Sequence, residues 1–394
     1  MKVLIIHNFY TNFTGEDLLI KEASRLLKDS GQVEIIEYYK YSADFKKFPL
    51  RNKIIALIKG NIPFYIPKGF KEILYRKPPD VALVHNTIPF INIWIFKELK
   101  RNNIPIIASL YNYRIFCPKG TCFLSGKFCM KCFDKSLLYS VINNCLYNLP
   151  HSLLYAYRVF LLRIFLKHID VFISPEEHWI EFFKAFFINK NTKLLRGCLP
   201  ISPNFGSVFE QKKDYIIFAG RLIEEKGIGI ILRCASIFRN MQFKICGEGP
   251  LLSYCRDFIR NKNLVNVKYF GLLKRNDLLQ LIKNARILIA PSLYCEFGSV
   301  SIEAMLLKTP VIAMENNASV EFIKHNRTGF LFKNNDVNSL VDIIKKVWGD
   351  ENLRTSVALE AYNRVKEYGD SERYIRNFLA ICNGVLNKNT EFSL

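Results

Sequence analysis

Short apolar runs alternate with longer amphipathic segments along the whole chain. Five runs in the first half are predicted strands: KVLIIH, VEIIEYY, VALVHN, IPIIASLY and DVFISP. Five more follow in the second half: YIIFAG, FKICGEG, VKYFGLL, ILIAPS and PVIAM. These runs are continuous in Val, Ile and Leu rather than alternating with polar residues, which indicates strands that are covered on both faces. Parallel sheets with helical crossovers bury strands in this way.

The pattern therefore predicts an α/β protein made of two doubly wound, Rossmann-like domains that bind ligands beyond the carboxyl ends of their strands. Residues 198–214, with two prolines, a glycine and a polar run, are the predicted boundary segment. We expect an N-terminal domain over residues 1–205 and a C-terminal domain over 206–375. The remaining segment, 376–394, is predicted to form a helix that packs back on the N-terminal domain.

Composition narrows the range of partners. The 394-residue chain is 50% hydrophobic, which suffices for two buried cores. Its formal charge of +21 favours anionic partners, although a lysine-rich solvated surface is the alternative. No recognition helix, zinc-finger spacing or aromatic strand motif supports nucleic-acid binding, so we expect none. No signal peptide and no run of about 18 uncharged apolar residues is visible, which predicts a cytoplasmic protein without a membrane span.

A basic, aromatic-rich segment at residues 149–174 comes nearest to a membrane-spanning run. Arg158, Arg163, Lys167 and His168 interrupt it. Two interpretations stay open: an amphipathic helix that lies on an anionic bilayer, or a helix packed on the sheet with its arginines exposed. The first would make the protein peripheral on the inner face of the cytoplasmic membrane.

Five of the eleven cysteines crowd one loop, residues 117–145. The tight pair Cys129-x-x-Cys132 is common in zinc sites, and Cys117 and Cys145 flank it on either side. We predict that these four thiols bind a structural zinc that pins the loop, with Cys122 as the spare. Five reduced thiols without metal are the alternative.

Cations and glycines follow two strands of the second half. Arg221 comes directly after YIIFAG, and Lys226 opens a helix five residues later. Two cations beside a helix N-terminus suit a diphosphate, although solvated cations would show the same pattern. After FKIC, Gly247 and Gly249 permit a tight turn and a close approach of the backbone to a ligand.

The stretch LYCEFGSVSIEAM, residues 293–305, follows the strand ILIA. Phe297 and Gly298 can present free backbone N–H groups at the start of a helix, and such groups bind phosphate or sugar oxygens. Glu303, one turn into this helix, could accept hydrogen bonds from the two vicinal hydroxyls of a ribose. A solvated helix glutamate is the alternative interpretation.

Together, FAGRLIEEKG, CGEGPL and APSLYCEFGSVSIEAMLLKTPVIA resemble, in this order and spacing, the nucleotide-sugar half of a family 4 glycosyltransferase. In the first half, Gly15 matches the family's glycine loop, with Thr14 in place of its first glycine. PPDVALVHNTIPF and IPIIASLYNYRIFCP match a bacterial branch of the family. The resemblance implies a GT-B fold, two Rossmann-like domains facing across a cleft. It also implies sugar transfer with retention of configuration and no catalytic metal.

The resemblance also implies roles for single residues. Arg221 and Lys226 would hold the donor diphosphate and stabilise the charge on the departing nucleotide. Glu303 would bind the ribose, and Gly15 would allow a close approach of the chain to the donor. Contacts to the diphosphate and sugar would come from the backbone of Phe297, Gly298 and Ser299. The acceptor side would include His85, Asn86, Asn112 and Arg114.

Two departures from the family pattern fall in the sugar pocket. Cys295 occupies the place of an acid that contacts the donor sugar, and Glu296 comes one residue late. Tyr111 replaces the histidine of a His-Asn-Tyr-Arg motif. A tyrosine can still donate a hydrogen bond, but a cysteine is a poor partner for a sugar hydroxyl.

The sequence thus predicts a retaining glycosyltransferase that uses a nucleotide-diphosphate sugar. Its acceptor would be a glycan or lipid-linked chain in the synthesis of lipopolysaccharide, capsule or exopolysaccharide. Cys295 and Tyr111 motivate the alternative, a non-catalytic homologue that binds sugar nucleotides or glycans.

Overall fold

The computed structural model describes residues 1–11, 14–146, 148–174, 193–196, 200, 212–293, 298–315 and 317–387. The chain forms two compact units. The first comprises Met1–Leu124, Phe128–Ser202 and Gly369–Leu394, and the second comprises Ser125–Lys127 and Pro203–Tyr368. Residues 369–375 therefore belong to the first unit, whereas the sequence analysis placed them in the C-terminal domain.

The first unit is built on a six-stranded parallel sheet of order β2-β1-β3-β4-β7-β8. The strands of this sheet are β1 (Lys2–Phe9), β2 (Glu34–Tyr41), β3 (Val81–Val84), β4 (Ile106–Ser109), β7 (Val171–Ser174) and β8 (Lys193–Arg196). Two short strands, β5 (Phe123–Leu124) and β6 (Lys127–Phe128), pair in a separate hairpin. All five strands predicted for this half are present. Strands β3 and β4 are buried along their whole length, as their continuous apolar sequences require.

Helices connect these strands: α1 (Gly15–Asp29), α2 (Ser42–Lys47), α3 (Leu50–Asn61), α4 (Lys68–Arg76), α5 (Ile95–Arg101), α6 (Lys131–Asp134), α7 (Leu138–Ile142) and α8 (Leu149–Phe165). Helix α1 begins with a capping box. The Asp17 backbone N–H donates to Thr14 Oγ1 over 3.3 Å, and the Thr14 N–H donates to Asp17 Oδ2 over 2.8 Å. This reciprocal pair satisfies two backbone donors and fixes where the helix starts, directly after the sheet.

The second unit has its own six-stranded parallel sheet, of order β11-β10-β9-β12-β13-β14. The strands are β9 (Lys213–Ala219), β10 (Gln242–Cys246), β11 (Val267–Gly271), β12 (Ala285–Ala290), β13 (Val311–Met314) and β14 (Phe330–Phe332). The helices are α9 (Ile228–Ile237), α10 (Leu252–Asn261), α11 (Arg275–Asn284), α12 (Ser299–Leu306), α13 (Asn317–Phe322), α14 (Val337–Gly349) and α15 (Glu351–Tyr368). All five predicted strands are present, and strand order reverses beside β9.

The last helix, α16 (Ser371–Leu386), belongs to the first unit. Asp370 caps it by accepting a hydrogen bond from the Glu372 backbone N–H over 2.9 Å. Its buried face contributes Tyr374, Phe378 and Ile381 to the core formed by α1 and the strands. The chain therefore returns to its first unit after completing the second.

Helix α8 packs on the first unit with Arg158 and Arg163 turned inward, which corrects the exposed arginines of the packed-helix interpretation. Arg158 is 2% exposed, and its guanidinium donates to the carbonyl groups of Gly60, Thr87 and Ile91. Arg163 donates to the Ile115 carbonyl over 3.0 Å. Burial lowers the pKa of Arg158 to about 10, so it is still charged at neutral pH. The carbonyl groups supply what water would have supplied to this cation.

By length and composition, residues Leu149–His168 form the one described helix that could cross a membrane. A helix packed on a protein core meets the same criteria, and the buried, hydrogen-bonded Arg158 is what such packing produces.

Candidate functional site

In the second unit, two cations lie where β9 gives way to α9. Arg221 follows the strand and is exposed, and Lys226 ends a short 3₁₀ turn, Glu224–Lys226. Within the described part of the chain, neither side chain makes a hydrogen bond or an ion pair. Both cations are thus available to an anion at the N-terminus of α9, where unpaired backbone N–H groups add positive potential.

Gly247 and Gly249 let two strand-end loops pack backbone to backbone. A Cβ at Gly247 would lie 1.9 Å from the Gly220 carbonyl oxygen, and one at Gly249 would lie 2.4 Å from the Leu222 carbonyl oxygen. Gly247 also has φ +130°, a conformation that other residues rarely adopt. The sequence analysis assigned these glycines a close approach to a ligand. The structure shows a close approach to the loop that carries Arg221.

Gly227 completes the same packing on the other side of that loop. It caps α9 in the left-handed conformation, φ +69°, and a Cβ there would lie 2.0 Å from the Pro291 carbonyl oxygen. The Leu293 backbone N–H donates to the Glu225 carbonyl over 2.9 Å. The segment between Arg221 and Gly227 is thus held between the ends of β10 and β12.

The loop before α12 is described only in part. Cys295, Glu296 and Phe297 lie outside the described residues, so their predicted sugar contacts stay predictions. Gly298 caps α12, and Ser299 is its first residue. The Ser301 N–H already donates to the Gly298 carbonyl over 2.9 Å.

Glu303 lies on α12 with its side chain 14% exposed and forms an ion pair with Arg275. Arg275 Nη1 donates to Glu303 Oε1 over 2.9 Å. Burial raises the pKa of Glu303, and the charge and hydrogen bond of Arg275 oppose that rise. The sequence analysis missed Arg275. It opens α11 just after β11, so the strand-end rule that selected Arg221 could also have found it.

In the first unit, a pocket with both polar and apolar lining lies at the carboxyl ends of β3 and β4. It brings together the predicted residues His85, Asn86, Tyr111, Asn112 and Arg114. Glu16, next to the predicted Gly15, also lines this pocket and accepts a hydrogen bond from Asn112 Nδ2 over 3.0 Å. These residues follow β3 and β4, where the strand-end rule looks for ligand-binding groups, and their role in binding stays a prediction.

Asn86 shapes the pocket wall rather than offering free groups. Its Nδ2 donates to the carbonyl oxygens of Asn8 and Ile88, over 2.9 and 3.1 Å, and its Oδ1 accepts from the Ile88 N–H over 3.0 Å. Asn112 Oδ1 likewise accepts from the Arg114 backbone N–H over 3.0 Å. Both amides fix the backbone of the loops that follow their strands.

His85 and Tyr111 stack in this pocket, with ring centroids 5.9 Å apart and planes at 22°. Burial lowers the pKa of His85 well below its usual value and raises that of Tyr111, so both are neutral at physiological pH. Within the described structure, both ring nitrogens of His85 are buried without a hydrogen-bond partner. Such groups are costly unless something binds them, so they mark a binding surface.

Arg114 adds unpaired donors to the same pocket. Its guanidinium lies 5.6 Å from the Tyr10 ring centroid and 5.4 Å from that of Tyr155. No described residue accepts from its buried Nε and Nη1. The aromatic rings hold the cation in place, and the N–H groups of these two nitrogens are left for a ligand.

A buried His-Asp pair supports this pocket from behind, and the sequence analysis missed it. His7 Nε2 lies 2.8 Å from Asp17 Oδ1, and both side chains are fully buried. The Asn86 N–H donates to His7 Nδ1 over 3.3 Å, so the ring proton belongs on Nε2, where it bonds the carboxylate. The pair ties the start of α1 to the loop after β3.

The predicted zinc ligands occupy one loop but do not form a ready ligand set. Across the described residues, no group of three or more His, Cys, Asp or Glu side chains is arranged to hold a metal ion. A hydrogen bond from Cys122 lowers the pKa of Cys117 to about 6, against burial and with help from backbone N–H groups. Burial raises the pKa of Cys132 to about 12. Structural zinc at Cys117, Cys129, Cys132 and Cys145 stays a prediction.

Metal analysis tests that prediction directly. Protein purified without chelators should carry about one equivalent of zinc if the four thiolates bind it. Replacing Cys129 and Cys132 by serine should then abolish the metal, whereas Cys255→Ser, at a buried cysteine of α10, should retain it. Less than about a tenth of an equivalent in the wild type would rule the site out.

Comparison with known proteins gives these two sites a context. Residues 204–365 match the family model of glycosyl transferases group 1. The 2-deoxystreptamine N-acetyl-D-glucosaminyltransferase of Niallia circulans is 26% identical over 38% of this chain and 40% of that protein. The capsular polysaccharide biosynthesis glycosyltransferase CapM of Staphylococcus aureus is 25% identical to this chain. The alignment covers 39% of this chain and 42% of CapM. The matches thus span less than half of these relatives' length.

The fold likeness extends further than the sequence likeness. The crystal structure of Anabaena HepE in complex with UDP and glucose aligns over 98% of this chain and all of that one, with a TM-score of 0.64 and 14% identity. The chain therefore has the GT-B fold, two units each with a parallel sheet, and residues 204–365 within the second unit match the group 1 model.

Proposed function

We propose that this group 1 glycosyltransferase homologue moves a sugar from a nucleoside-diphosphate donor to a hydroxyl of a glycan or lipid-linked acceptor, with retention of configuration. Surface polysaccharide synthesis is the proposed setting, as for the capsular relative CapM. The observation that carries the proposal is the pair Arg221 and Lys226. Both are unpaired cations, within the described structure, at a strand-to-helix turn of a domain that matches the group 1 model.

The donor diphosphate would bind between these two cations and the N-terminus of α9. Reaction breaks the bond from the anomeric carbon to the diphosphate oxygen and forms a bond from that carbon to the acceptor oxygen. The leaving phosphate oxygen takes the acceptor proton. Arg221 and Lys226 stabilise the negative charge that grows on the leaving group, so neither a catalytic carboxylate pair nor a metal is required. Glu303 would hold the ribose.

The pocket of the first unit, with its cluster of polar side chains, would take a hydroxyl-bearing ligand such as a sugar. Neutral His85 and Tyr111 can donate or accept hydrogen bonds, and Arg114 offers two nitrogens, Nε and Nη1, that have no partner among the described residues. A sugar ring offers both donors and acceptors, which is what such a set of groups can satisfy. The acceptor proposed here is therefore a sugar at its reacting end.

A thermal-shift screen with UDP, GDP, ADP and their common sugars tests the donor site. A nucleotide present at about 100 times its Kd should stabilise the protein by about 2.7 kcal/mol, which is a shift of several degrees. Product formation with any donor would exclude the non-catalytic alternative. Binding without turnover across a panel of donors and acceptors would favour that alternative, and no shift with any nucleotide would contradict a donor site.

The outer face of α8 supports a membrane location for the acceptor. Its exposed apolar side chains recur every three or four residues and so form one stripe, each between 39% and 55% exposed: Leu149, Leu153, Tyr157, Phe160 and Ile164. The buried arginine of this helix faces the opposite way. A surface helix usually turns its apolar side towards the protein core. An apolar stripe that faces outward instead is typical of a surface that contacts lipid or another protein.

A second exposed aromatic side chain of the first unit lies beside a lysine. Phe64 is 72% exposed and lies 4.0 Å from Trp94 between ring centroids, and Lys97 lies over both rings. With a net charge of +21, the chain would be attracted to anionic lipids. We therefore propose that the first unit docks peripherally on the inner face of the cytoplasmic membrane, where lipid-linked acceptors would be found.

Replacing Leu153 and Phe160 by serine should weaken binding to mixed phosphatidylcholine and phosphatidylglycerol vesicles by about tenfold or more, because two apolar side chains no longer leave water. Sedimentation with vesicles measures the change. Leu359→Ser is the matched control, since Leu359 is 45% exposed on α15 of the other unit. Equal binding by the double variant and the control would contradict the docking face.

A further inference from the structure

Among the described residues, Glu303 has one hydrogen-bonding partner, and that partner comes from a different strand-end segment. Arg275 is the first residue of α11 and follows β11, whereas Glu303 lies on α12 after β12. Their contact is a single hydrogen bond of 2.9 Å from Nη1 to Oε1. No other described residue donates to this carboxylate.

The ion pair contributes little as a stabilising contact in its own right. The Arg275 side chain is 38% exposed, and exposed pairs contribute about 0–1 kcal/mol to folding. Its effect on the carboxylate is larger, because the Glu303 side chain is mostly buried. A carboxylate that receives hydrogen bonds from two vicinal hydroxyls must be ionised and held in one rotation, and burial alone favours the neutral acid.

Arginine suits this task better than lysine. Its guanidinium is planar and always charged, and each N–H has a fixed direction, so one oxygen of the carboxylate can be fixed while the other faces a ligand. The first residue of a helix that starts at the edge of the sheet is also a well-anchored position for the side chain.

We infer that Arg275 is a positioning residue for the nucleoside of the donor: it orients the Glu303 carboxylate towards the two ribose hydroxyls. This inference rests on the proposed function, because it takes a nucleoside diphosphate as the ligand of the second unit. A purely structural ion pair, which only ties α11 to α12, is the competing account.

Ribose and dideoxyribose nucleotides distinguish the two accounts. The probe is whichever of UDP, GDP and ADP stabilises the wild type most, together with its 2′,3′-dideoxy form, and calorimetry gives Kd for both. The wild type should prefer the ribonucleotide by about tenfold or more. In Arg275→Ala, the ratio of the two Kd values should fall to about a third of the wild-type ratio or less. The Kd of the dideoxy nucleotide should stay within about twofold of the wild-type value.

Three further variants complete the test. Glu303→Gln should lose the preference for the ribonucleotide. The double variant Arg275→Ala/Glu303→Gln should have the same two Kd values as Glu303→Gln alone, because Arg275 acts only through the carboxylate. Arg275→Lys should recover part of the preference, since the charge is retained without the planar fork. Arg327→Ala is the matched control, because Arg327 forms an ion pair of equal length with Glu360 elsewhere in the unit. It should leave both affinities unchanged.

An equal loss of affinity for both nucleotides in Arg275→Ala would overturn the inference and favour the structural ion pair. Additive losses in the double variant would overturn it too. In either result the wild type still binds nucleotide, so the proposed function stands. If the wild type binds no nucleoside diphosphate, the proposed function fails and this inference fails with it.

Discussion

Arg221→Ala and Lys226→Ala should each reduce sugar transfer by about a hundredfold to a thousandfold while the protein stays folded. Each removes a cation that stabilises the departing nucleoside diphosphate, and one such group contributes about 3–4 kcal/mol to a transition state of this kind. Neither side chain has a partner among the described residues, so its removal leaves no buried group unpaired. The fold should therefore lose little stability.

Initial rates of sugar transfer with a saturating donor measure the loss of activity. A thermal melt of each variant shows whether the protein is still folded. Arg233→Ala is the matched control, because Arg233 is an exposed cation farther along the same helix, α9. It should keep a rate within about twofold of the wild type. Near-normal rates in both Arg221→Ala and Lys226→Ala would defeat the diphosphate assignment. A rate loss in Arg233→Ala as large as theirs would point to a general loss of positive potential instead.

The sheets could be predicted because their strands carry the signal of burial on both faces. Val81–Val84 and Ile106–Ser109 are short, yet every residue in them is buried, and their sequences are continuous apolar runs. In the two large sheets, the strands that were not predicted are the edge strands Lys193–Arg196 and Phe330–Phe332, and the short hairpin strands Phe123–Leu124 and Lys127–Phe128 were not predicted either. Runs of three or four residues are too short for periodicity to distinguish them from loops or helix ends.

The orientation of α8 could not be predicted from its pattern. Periodicity shows that Arg158 lies opposite the apolar stripe, but it cannot show which side meets the protein. Burial of the arginine is decided by three carbonyl groups that come from residues 60, 87 and 91, far away in sequence. Only tertiary structure brings such acceptors together, and they compensate the cation for the loss of water.

For the candidate sites, sequence predicts where functional residues lie but not which residues contact one another. The end of a parallel strand is a position that sequence can identify, and this rule located the loops around Arg221, Glu303, His85 and Tyr111. Contacts between loops are not encoded by any local spacing. Arg275 and Glu303 follow different strands, and His7 lies in β1 whereas Asp17 lies on α1, so both pairs emerged only from the structure.

Gly247→Ala should be among the most damaging single substitutions in the second unit. Its Cβ would fall 1.9 Å from the Gly220 carbonyl oxygen, and φ +130° is strained for alanine whatever the space. The loop after β9 would have to move, and that loop carries Arg221. Backbone strain combined with a backbone clash should cost about 3 kcal/mol or more, which lowers the melting temperature by about 6–12 °C.

Gly349→Ala is the control that separates the clash from the general effect of replacing a glycine. Gly349 ends α14, has no atom within 4 Å of a built Cβ, and lacks a left-handed φ. Alanine there should be neutral or stabilising by up to about 1 kcal/mol, because it restricts the unfolded chain. Activity adds a second readout, since Gly247→Ala should lose transfer even at temperatures where it is folded. If both variants melted within about 2 °C of the wild type, the loops would tolerate displacement. The rigid placement of Arg221 would then have to come from contacts other than this glycine packing.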